Sequence, residues 1–302
     1  MKYAVTGGAG FIGSNLVERL IELGHDVLII DNLSTGKKNN LHPNAQFLQI
    51  DLFDTDKSNE LVQALDGVDT VFHCAAHARV QRSIKNPALF EKNNTLGLVN
   101  LLESCHKANI RRFVYSSSSS VYGDRDSLPS NENSKCNPSS PYALQKYYGE
   151  QCCKLFSNIY GVETVCLRYF NVYGEKQNIG GAYATVIGIF IDQKIKGLPL
   201  TINGNGKQRR DFTYVGDVVE ANIKASTVKN FFCGEIINIG SGENISINEL
   251  AKMIGGEYSY KNPVDEPFAN LADVRKAREV LEWEPKTKVS NWINFSKEKK
   301  MF

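Results

Sequence analysis

The chain has 302 residues, of which 42% are apolar and 23% charged, with a formal net charge of +2. These values are ordinary for a globular enzyme, and so small a charge does not favour a nucleic-acid or membrane partner. Seven cysteines occur without any C-x-x-C pair, which favours reduced thiols over a disulfide framework. No signal peptide pattern precedes the first predicted strand, and no apolar run approaches about 18 residues, so we expect a cytoplasmic protein.

Strand and helix patterns alternate through the first half of the chain. Strands are predicted at residues 2–6, 26–30, 45–50, 68–74, 112–116 and 163–168. Helices are predicted at residues 14–24, 57–65, 93–108 and 141–160. Such alternation is typical of an α/β protein with a doubly wound parallel sheet.

Beyond residue 171 the composition of the sequence changes, because glycine and asparagine become frequent. We expect residues 1–172 to form a dinucleotide-binding domain, to which segments near 213–240 return. Residues 173–302 are expected to form mainly a smaller C-terminal α/β substrate domain.

A glycine-rich turn joins the first predicted strand to the first predicted helix. Gly7, Gly10 and Gly13 stand three residues apart, and Gly8, Gly10 and Gly13 also fit the pattern G-x-G-x-x-G. Glycines allow a tight turn and a close approach of the backbone to a pyrophosphate, which the N–H groups of the following helix can bind. The turn therefore predicts a dinucleotide cofactor.

An acidic residue ends the second predicted strand. Asp31 lies 18 residues after Gly13, near the position that binds the ribose hydroxyls of a dinucleotide. A carboxylate there repels a 2′-phosphate, so NAD is favoured over NADP. Lys37 and Lys38 nearby keep NADP open as an alternative.

Tyr142 and Lys146 lie four residues apart in a predicted helix and therefore project from the same face. Ser140 and Pro141 are suited to be the N-cap and the first residue of this helix. A phenol has an ordinary pKa of about 10, and a neighbouring ammonium lowers it. The pair is thus a candidate general base with its cationic partner.

A run of serines, residues 116–120, follows the fifth predicted strand. Ligands of open parallel sheets bind outside the carboxyl ends of the strands, so these hydroxyls are expected at the site. A serine there can hydrogen-bond a substrate oxygen and relay a proton to Tyr142. The alternative is a polar turn in which serines only cap the backbone.

These segments together resemble the extended short-chain dehydrogenase/reductases, and within them the nucleotide-sugar 4-epimerases that act on UDP-hexoses or UDP-N-acetylhexosamines. The resemblance rests on residues 7–13, 31–32, 51–52, 74–76, 93, 116–123, 142, 146, 168–174 and 210–215. It implies a Rossmann sheet, a bound NAD, a UDP-sugar substrate, a transient 4-keto intermediate and a homodimer formed through the helices near 93–108 and 141–160.

The resemblance also implies roles for individual residues. Tyr142 would be the catalytic base, Lys146 would bind the nicotinamide ribose, and Ser118 would assist proton transfer. Contacts to the cofactor would come from Gly7, Gly10, Phe11, Ile12, Gly13, Asp31, Asn32, Asp51, Leu52, Ala75, Ala76, Asn93, Ser116, Tyr142, Lys146 and Tyr169. Contacts to the substrate would come from Val80, Ser118, Tyr142, Asn171, Thr185, Arg210 and Asn270. No metal site is predicted.

The residues directly before Val121-Tyr122-Gly123 distinguish the 4-epimerase reaction from related reactions of the same family. A 4,6-dehydratase resembling the family type carries an Asp-Glu pair there, and a UDP-glucuronate decarboxylase carries a glutamate, whereas this chain has Ser119-Ser120. The 4-epimerase is therefore favoured. A 4-keto-sugar reductase and a non-catalytic NAD-binding protein are the remaining alternatives, and the latter is disfavoured because Ser118, Tyr142 and Lys146 are intact.

The sugar is predicted less directly. Residues 181–187 and 78–83 resemble the N-acetylhexosamine type of bacterial 4-epimerase. A tyrosine that excludes an N-acetyl group in this family corresponds to Asn270, counted back from Ala272-Asp273. The order of preference is UDP-N-acetylglucosamine/N-acetylgalactosamine, then UDP-glucose/galactose, then UDP-N-acetyl uronic acids, whose carboxylate Arg79 and Arg82 could serve.

One departure from the family pattern concerns the nucleotide. Where many members carry an arginine that binds UDP, this chain has Pro263, with Lys261 as the nearby cation. A dTDP-sugar or GDP-sugar therefore stays open as an alternative.

Overall fold

A computed structural model describes residues 1–124, 127–180, 184–264, 266–300 and 302. Its strands, in chain order, are β1 (Lys2–Thr6), β2 (Asp26–Asp31), β3 (Gln46–Gln49), β4 (Thr70–His73), β5 (Arg112–Ser118), β6 (Glu163–Tyr169), β7 (Val172–Tyr173), β8 (Leu200–Asn203), β9 (Arg209–Asp211), β10 (Thr213–Tyr214), β11 (Cys233–Ile239), β12 (Asn244–Ser246) and β13 (Tyr258–Lys261).

The helices, in chain order, are α1 (Phe11–Glu22), α2 (Ser58–Ala64), α3 (Val80–Lys85), α4 (Pro87–Glu91), α5 (Gly97–Lys107), α6 (Pro141–Tyr160), α7 (Val186–Ile195), α8 (Val215–Thr227), α9 (Ile247–Ile254), α10 (Arg275–Leu281) and α11 (Val289–Glu298). Short 3₁₀ turns lie at Lys38–Asn40, Thr55–Lys57 and Ser119–Tyr122, and a π-helical turn at Lys92–Leu96. Among the described residues, no helix is both long and apolar enough to cross a membrane.

A seven-stranded sheet dominates the fold, with strands in the order β11-β6-β5-β4-β1-β2-β3. Every neighbouring pair in it is parallel. The predicted α/β fold with a doubly wound parallel sheet is thus confirmed. The strand of this sheet that comes last in the chain, β11, forms one edge and pairs with β6.

Apolar side chains alternate between the two faces of this sheet, as the two-residue period of a strand requires. In β1, Tyr3 and Val5 pack into one buried cluster, whereas Ala4 packs into the other. Residues of α1, α8 and α10 complete the first cluster, and residues of α2, α5 and α6 complete the second. Helices on both faces bury the sheet and leave its carboxyl edge as the place for a site.

A third buried cluster lies in the later part of the chain. It is formed by residues of α7, β8, α9 and α11, with Phe190, Leu250 and Trp292 among them. Three two-stranded pairs accompany it: β7 with β10, β8 with β13, and β9 with β12. We call this region the outer layer.

The predicted elements differ from the observed ones mainly at their ends. Strand β5 runs two residues past its predicted end, because the backbone of Ser117 and Ser118 continues to pair with β6. Helix α1 begins at Phe11 instead of residue 14, directly after the glycine turn. The short helices α3 and α4 were not predicted, since neither is long enough to show a clear apolar period.

Candidate functional site

A cavity of about 980 Å³ opens at the carboxyl edge of the main sheet and continues toward the outer layer. Residues that end or follow β1, β2, β4, β5 and β6 line it at the sheet, among them Gly7, Asp31, Ala75, Ser118 and Tyr169. Residues of the outer layer line its far end. This is the position at which open α/β sheets bind ligands.

The glycine turn forms one wall of the cavity, and its geometry requires glycine. Gly7 has a φ of +68°, and a Cβ atom there would lie 2.6 Å from the backbone nitrogen of Ala75. A Cβ on Gly13 would lie 2.2 Å from the carbonyl oxygen of Gly7. The N-cap of α1 is Gly10, which brings no side-chain cap. The first-turn N–H groups therefore face the cavity beside Phe11 and Ile12, as a phosphate site needs.

Asp31 lies at the end of β2 with its carboxylate at the cavity wall. One oxygen, Oδ2, accepts from the backbone N–H of Ala9 at 3.0 Å, and Oδ1 accepts from that of Leu33 at 2.8 Å. These bonds orient the carboxylate while leaving lone pairs for hydroxyl donors. Asn32, also in the wall, donates from its amide to Asp51, which lies behind the wall.

Tyr142 and Ser118 both line the cavity. The predicted helix start is confirmed, because the Ser140 Oγ accepts from the N–H of Ala143 at 3.2 Å and Pro141 is the first helical residue. This start places the Tyr142 phenol near the Ser118 side chain. Burial raises the pKa of Tyr142, while the Ser118 side chain and the charge of Arg79 act to lower it.

Lys146 lies one turn further along α6 and is buried behind the cavity wall. Its Nζ donates to the carbonyl oxygen of Ser116 at 2.7 Å and lies 4.8 Å from the Tyr115 ring centroid. The distance from Nζ to the ring centroid of Tyr142 is 6.0 Å. Burial lowers the pKa of Lys146 to about 8. The ammonium thus holds the end of β5 and also lies over the ring of Tyr142.

Tyr169 closes the sheet side of the cavity at the end of β6. Its hydroxyl donates to Asn222 Oδ1 at 2.9 Å and shares a 3.2 Å hydrogen bond with Ser116 Oγ. The hydroxyl is therefore satisfied by protein groups, and burial raises its pKa far above the usual range. The ring of Tyr169, not its hydroxyl, is what the cavity offers to a ligand.

Two predicted residues lie on the helices that flank the cavity mouth. Val80 begins α3, and Asn93, in the π-helical turn, donates to the carbonyl oxygen of Leu89 at 2.8 Å. Both line the cavity. Arg79, directly before α3, also lines it, half-buried and with a φ of +108°.

At the far end, amide side chains join the outer layer to β6. Asn171 donates from Nδ2 to the carbonyl oxygen of Asp211 at 2.7 Å and to Asn270 Oδ1 at 3.1 Å. Asn270 Oδ1 also accepts from the N–H of Asp211 at 2.9 Å. Thr185 is the N-cap residue of α7 and lines the same end. Three predicted substrate residues therefore surround one part of the cavity.

Arg210 supplies the positive charge of this end and is itself nearly buried. Its Nη2 lies 2.9 Å from a carboxylate oxygen of Glu266. Its Nη1 donates to the carbonyl oxygens of Arg209 at 2.9 Å and Phe268 at 3.2 Å. The partner Glu266 was not singled out from the sequence, because only the fold shows which acid faces Arg210. Lys261 also lines the cavity.

Most of the predicted site residues line this one cavity. The exceptions are Asp51, Ser116 and Lys146. Asp51 accepts a hydrogen bond from Asn32 and Ser116 shares one with Tyr169, both of which line the cavity. Lys146 donates to the Ser116 carbonyl oxygen near the end of β5. Leu52, Ala76 and Ile12 lie in the wall itself. Residues 181–183, part of the segment that resembles the N-acetylhexosamine type, lie outside the described residues.

The fold and the site together define a nucleotide-binding member of the extended short-chain dehydrogenases. A family model described as the NAD dependent epimerase/dehydratase family matches residues 3–240. The chain belongs to this family. Its predicted family membership and its predicted NAD cofactor are thereby confirmed.

Several known proteins are similar over nearly their full lengths. A putative UDP-glucose 4-epimerase of Methanocaldococcus jannaschii is 44% identical, covering 96% of this chain and 97% of that protein. The crystal structure of a UDP-glucose 4-epimerase of Thermotoga maritima with UDP-glucose matches with a TM-score of 0.94 at 36% identity, covering 100% of both chains. A UDP-glucuronic acid 4-epimerase of Bacillus cereus, in complex with UDP-glucuronic acid and NAD, matches with a TM-score of 0.90 at 33% identity and the same coverage.

Proposed function

We propose that this protein is an NAD-dependent 4-epimerase of a UDP-sugar. The observation that carries the proposal is the pair of Tyr142 and Ser118, whose side chains act on each other and line one cavity. That cavity extends from the glycine turn to Arg210, so it can hold a dinucleotide and a nucleotide-sugar end to end. The names of the similar proteins support the same class of reaction.

The sheet end of the cavity fits NAD. The close approach of Gly7 to the Ala75 backbone leaves no room for a side chain, and the uncapped start of α1 offers N–H groups to a pyrophosphate. Asp31 is oriented to accept from ribose hydroxyls and carries the charge that disfavours a 2′-phosphate. Lys146 and Tyr142 would lie at the nicotinamide end.

The chain's own residues would handle the proton of the reaction. NAD, when bound, supplies the reversible oxidation of carbon 4 of the sugar. Tyr142 as phenolate accepts the proton of the 4-hydroxyl, and the Ser118 hydroxyl holds the same oxygen in place. After the sugar has turned, the Tyr142 phenol returns the proton. Arg210 keeps the diphosphate anchored meanwhile, as a charge-assisted contact.

The turn after Ser118 favours epimerisation over elimination or decarboxylation. Ser119 and Ser120 line the cavity within the 3₁₀ turn Ser119–Tyr122, where those reactions would need a carboxylate. The Ser120 hydroxyl is buried and makes no hydrogen bond within the described part of the chain. A hydroxyl of the sugar can satisfy it.

The proposed substrates are UDP-N-acetylglucosamine/UDP-N-acetylgalactosamine and UDP-glucose/UDP-galactose. Asn270 lines the sugar end of the cavity and is smaller than the tyrosine that excludes an N-acetyl group in the family resemblance. Its amide is held by Asn171 and by the backbone of Asp211, which keeps it against the wall. Both the N-acetylated and the plain sugar are therefore expected to fit.

A cytoplasmic homodimer completes the proposal. Helix α6 carries exposed apolar side chains along one face: Leu144, Tyr148, Leu155 and Ile159. Their spacings of four, seven and four residues place them in one stripe, which a second copy of the chain would cover. All seven cysteines are free thiols, as expected of a reducing compartment.

Separate incubations of the purified protein with UDP-glucose, UDP-N-acetylglucosamine and UDP-N-acetylglucosaminuronic acid test this function. We expect the anomeric NMR signals of the 4-epimer to appear with at least one of the first two sugars. No net change at the nicotinamide absorbance should accompany them, which separates an epimerase from a reductase. Absence of interconversion with all three sugars would contradict the proposal.

A further inference from the structure

Arg79 adopts a backbone conformation that an L-residue rarely occupies. Its φ is +108° and its ψ +115°, outside the regions that residues other than glycine favour. Residues held in such conformations collect at functional sites, where the surrounding structure over-determines them. A glycine would meet the backbone requirement without strain, so an arginine at this position calls for a reason in its side chain.

The side chain of Arg79 belongs to the cavity. It is half-buried and lines the same cavity as Ser118 and Tyr142. Helix α3, which begins at the next residue, packs against α6 and so holds Arg79 beside the base. The guanidinium and the Tyr142 phenol interact electrostatically, each favouring the charged form of the other.

The lysine of α6 is only partly engaged with Tyr142. Lys146 Nζ donates to the Ser116 carbonyl oxygen at 2.7 Å and lies closer to the ring of Tyr115 than to that of Tyr142. Its charge therefore serves the strand end as well as the ring of Tyr142. Arg79 is a second cation, which acts on the phenol from the cavity side.

We propose that Arg79 is a positioning residue for the base, whose guanidinium stabilises the phenolate of Tyr142. The inference rests on the proposed epimerase function for its kinetic test, but not for its spectroscopic one. The proton balance is simple: the Tyr142 phenolate gains the proton of the sugar hydroxyl and becomes a phenol. Arg79 stays protonated throughout.

Other titratable groups around the pair do not replace this charge. Tyr142 also faces Ser118 from β5, Lys146 from its own helix, and Tyr115, whose phenol stays neutral because burial raises its pKa. On the side of Arg79 lie Arg82 and His77, and burial together with the charge of Arg82 lowers the pKa of His77, which is therefore neutral at pH 7. Removal of Arg79 therefore takes away a positive charge that acts on the phenol.

The kinetic test compares pH profiles of kcat/KM for the NAD-loaded wild type and for Arg79→Gln, Arg79→Gly and Arg79→Lys. Loss of the cation raises the pKa of Tyr142, so the acid limb should move upward by about one pH unit in the Gln and Gly variants. At a pH below the limb that shift is about a tenfold loss of rate. Arg79→Lys should restore most of it. Lys85→Gln, which removes an equal charge from an exposed position of the adjoining helix α3 outside the cavity, should leave the limb in place.

The Gly variant separates charge from backbone strain, since glycine relaxes the positive φ but cannot supply a cation. If Arg79→Gly keeps the wild-type limb, or if all variants change only KM, Arg79 contacts the substrate or the backbone alone and the proposal fails.

The second test needs no substrate. Tyrosinate absorbance is titrated in the NAD-loaded protein, and the curve of Tyr142→Phe is subtracted to leave the signal of Tyr142. We expect Arg79→Gln to move this signal upward by the same interval as the kinetic limb. An unmoved signal overturns the proposal even if the protein is an epimerase. If the signal moves but the protein epimerises no UDP-sugar, the role of Arg79 is supported and the proposed function is refuted.

Discussion

The two ends of the cavity are built by different means. At the sheet end, backbone geometry places the groups: the glycine turn, the uncapped start of α1 and the carboxyl ends of parallel strands. At the far end, side chains hold one another. Asn171 bonds Asn270, and Arg210 pairs with Glu266.

This difference implies that the sheet end is ready before a ligand arrives, whereas the far end must exchange partners. Arg210 can reach a diphosphate only if Glu266 gives up its place. Changes at the sheet end should therefore affect the chemical step or the hold on NAD. Changes at the far end should affect the KM for the nucleotide-sugar.

The largest effect is expected for Tyr142→Phe at the sheet end. Loss of a general base costs about 10²–10⁴-fold in rate, so kcat should fall by that order while bound NAD is retained. Steady-state kinetics and the NAD content of the purified variant check both. Tyr148→Phe is the matched control, because Tyr148 lies on the same helix but is exposed. A Tyr142→Phe enzyme of full rate would show that the base lies elsewhere.

Next in size is Gly7→Ala, compared with Gly24→Ala. Both glycines have positive φ, +68° and +79°, so alanine costs each about 1 kcal/mol or more in unfolding free energy. A Cβ at Gly7 would also clash with the Ala75 backbone. A Cβ at Gly24 would have no neighbouring atom within 4 Å. Gly7→Ala alone should therefore lose NAD. The ratio of NAD to protein and thermal unfolding curves distinguish the two, and equal NAD loss in both variants would refute the close approach.

At the far end, Arg210→Ala should raise the KM for the UDP-sugar about 10- to 100-fold, the worth of a hydrogen bond to a charged group. NAD content should not change. Arg209→Ala is the control, since its guanidinium points away to Asn244 and Glu249. If kcat falls and KM stays constant, the far end takes part in the chemical step and the contrast between the two ends is wrong.

Glu266→Gln should give the smallest effect and the opposite sign. A neutral amide competes less well than a carboxylate for Arg210, so KM should fall two- to fivefold, about 0.4–1 kcal/mol. Surface ion pairs have this order of worth, and Glu266 is 40% exposed. Measured KM values over a range of salt concentrations check it. A raised KM would mean that Glu266 itself binds the substrate.

The sheet end was largely predictable from the sequence, because its signals are local. A turn, a helix start and a strand end are indicated by Gly7, Gly13 and Asp31, which lie within about 25 residues of one another. The fold class followed from alternating apolar segments. Each of these features depends on neighbours in the chain.

The remainder depends on contacts between distant segments. The run of five serines could not show that Ser117 donates to the buried Glu150 at 2.6 Å while the next residue, Ser118, faces Tyr142. That choice follows from the alternation of side chains along β5. Likewise the pairing of Arg210 with Glu266 joins residues 56 apart, and no local pattern reports it.

The late return of β11 has a consequence for biosynthesis. This strand covers one edge of β6, and Arg112 at the start of β5 donates to the carbonyl oxygens of Ala225, Val228 and Asn230. Before this later segment is translated, the nascent sheet has an open edge, and Arg112 has its Glu163 partner but lacks those three carbonyl oxygens. The nucleotide-binding half can therefore close only after about 239 residues have emerged, so a stop codon before Ile239 would leave both halves incomplete.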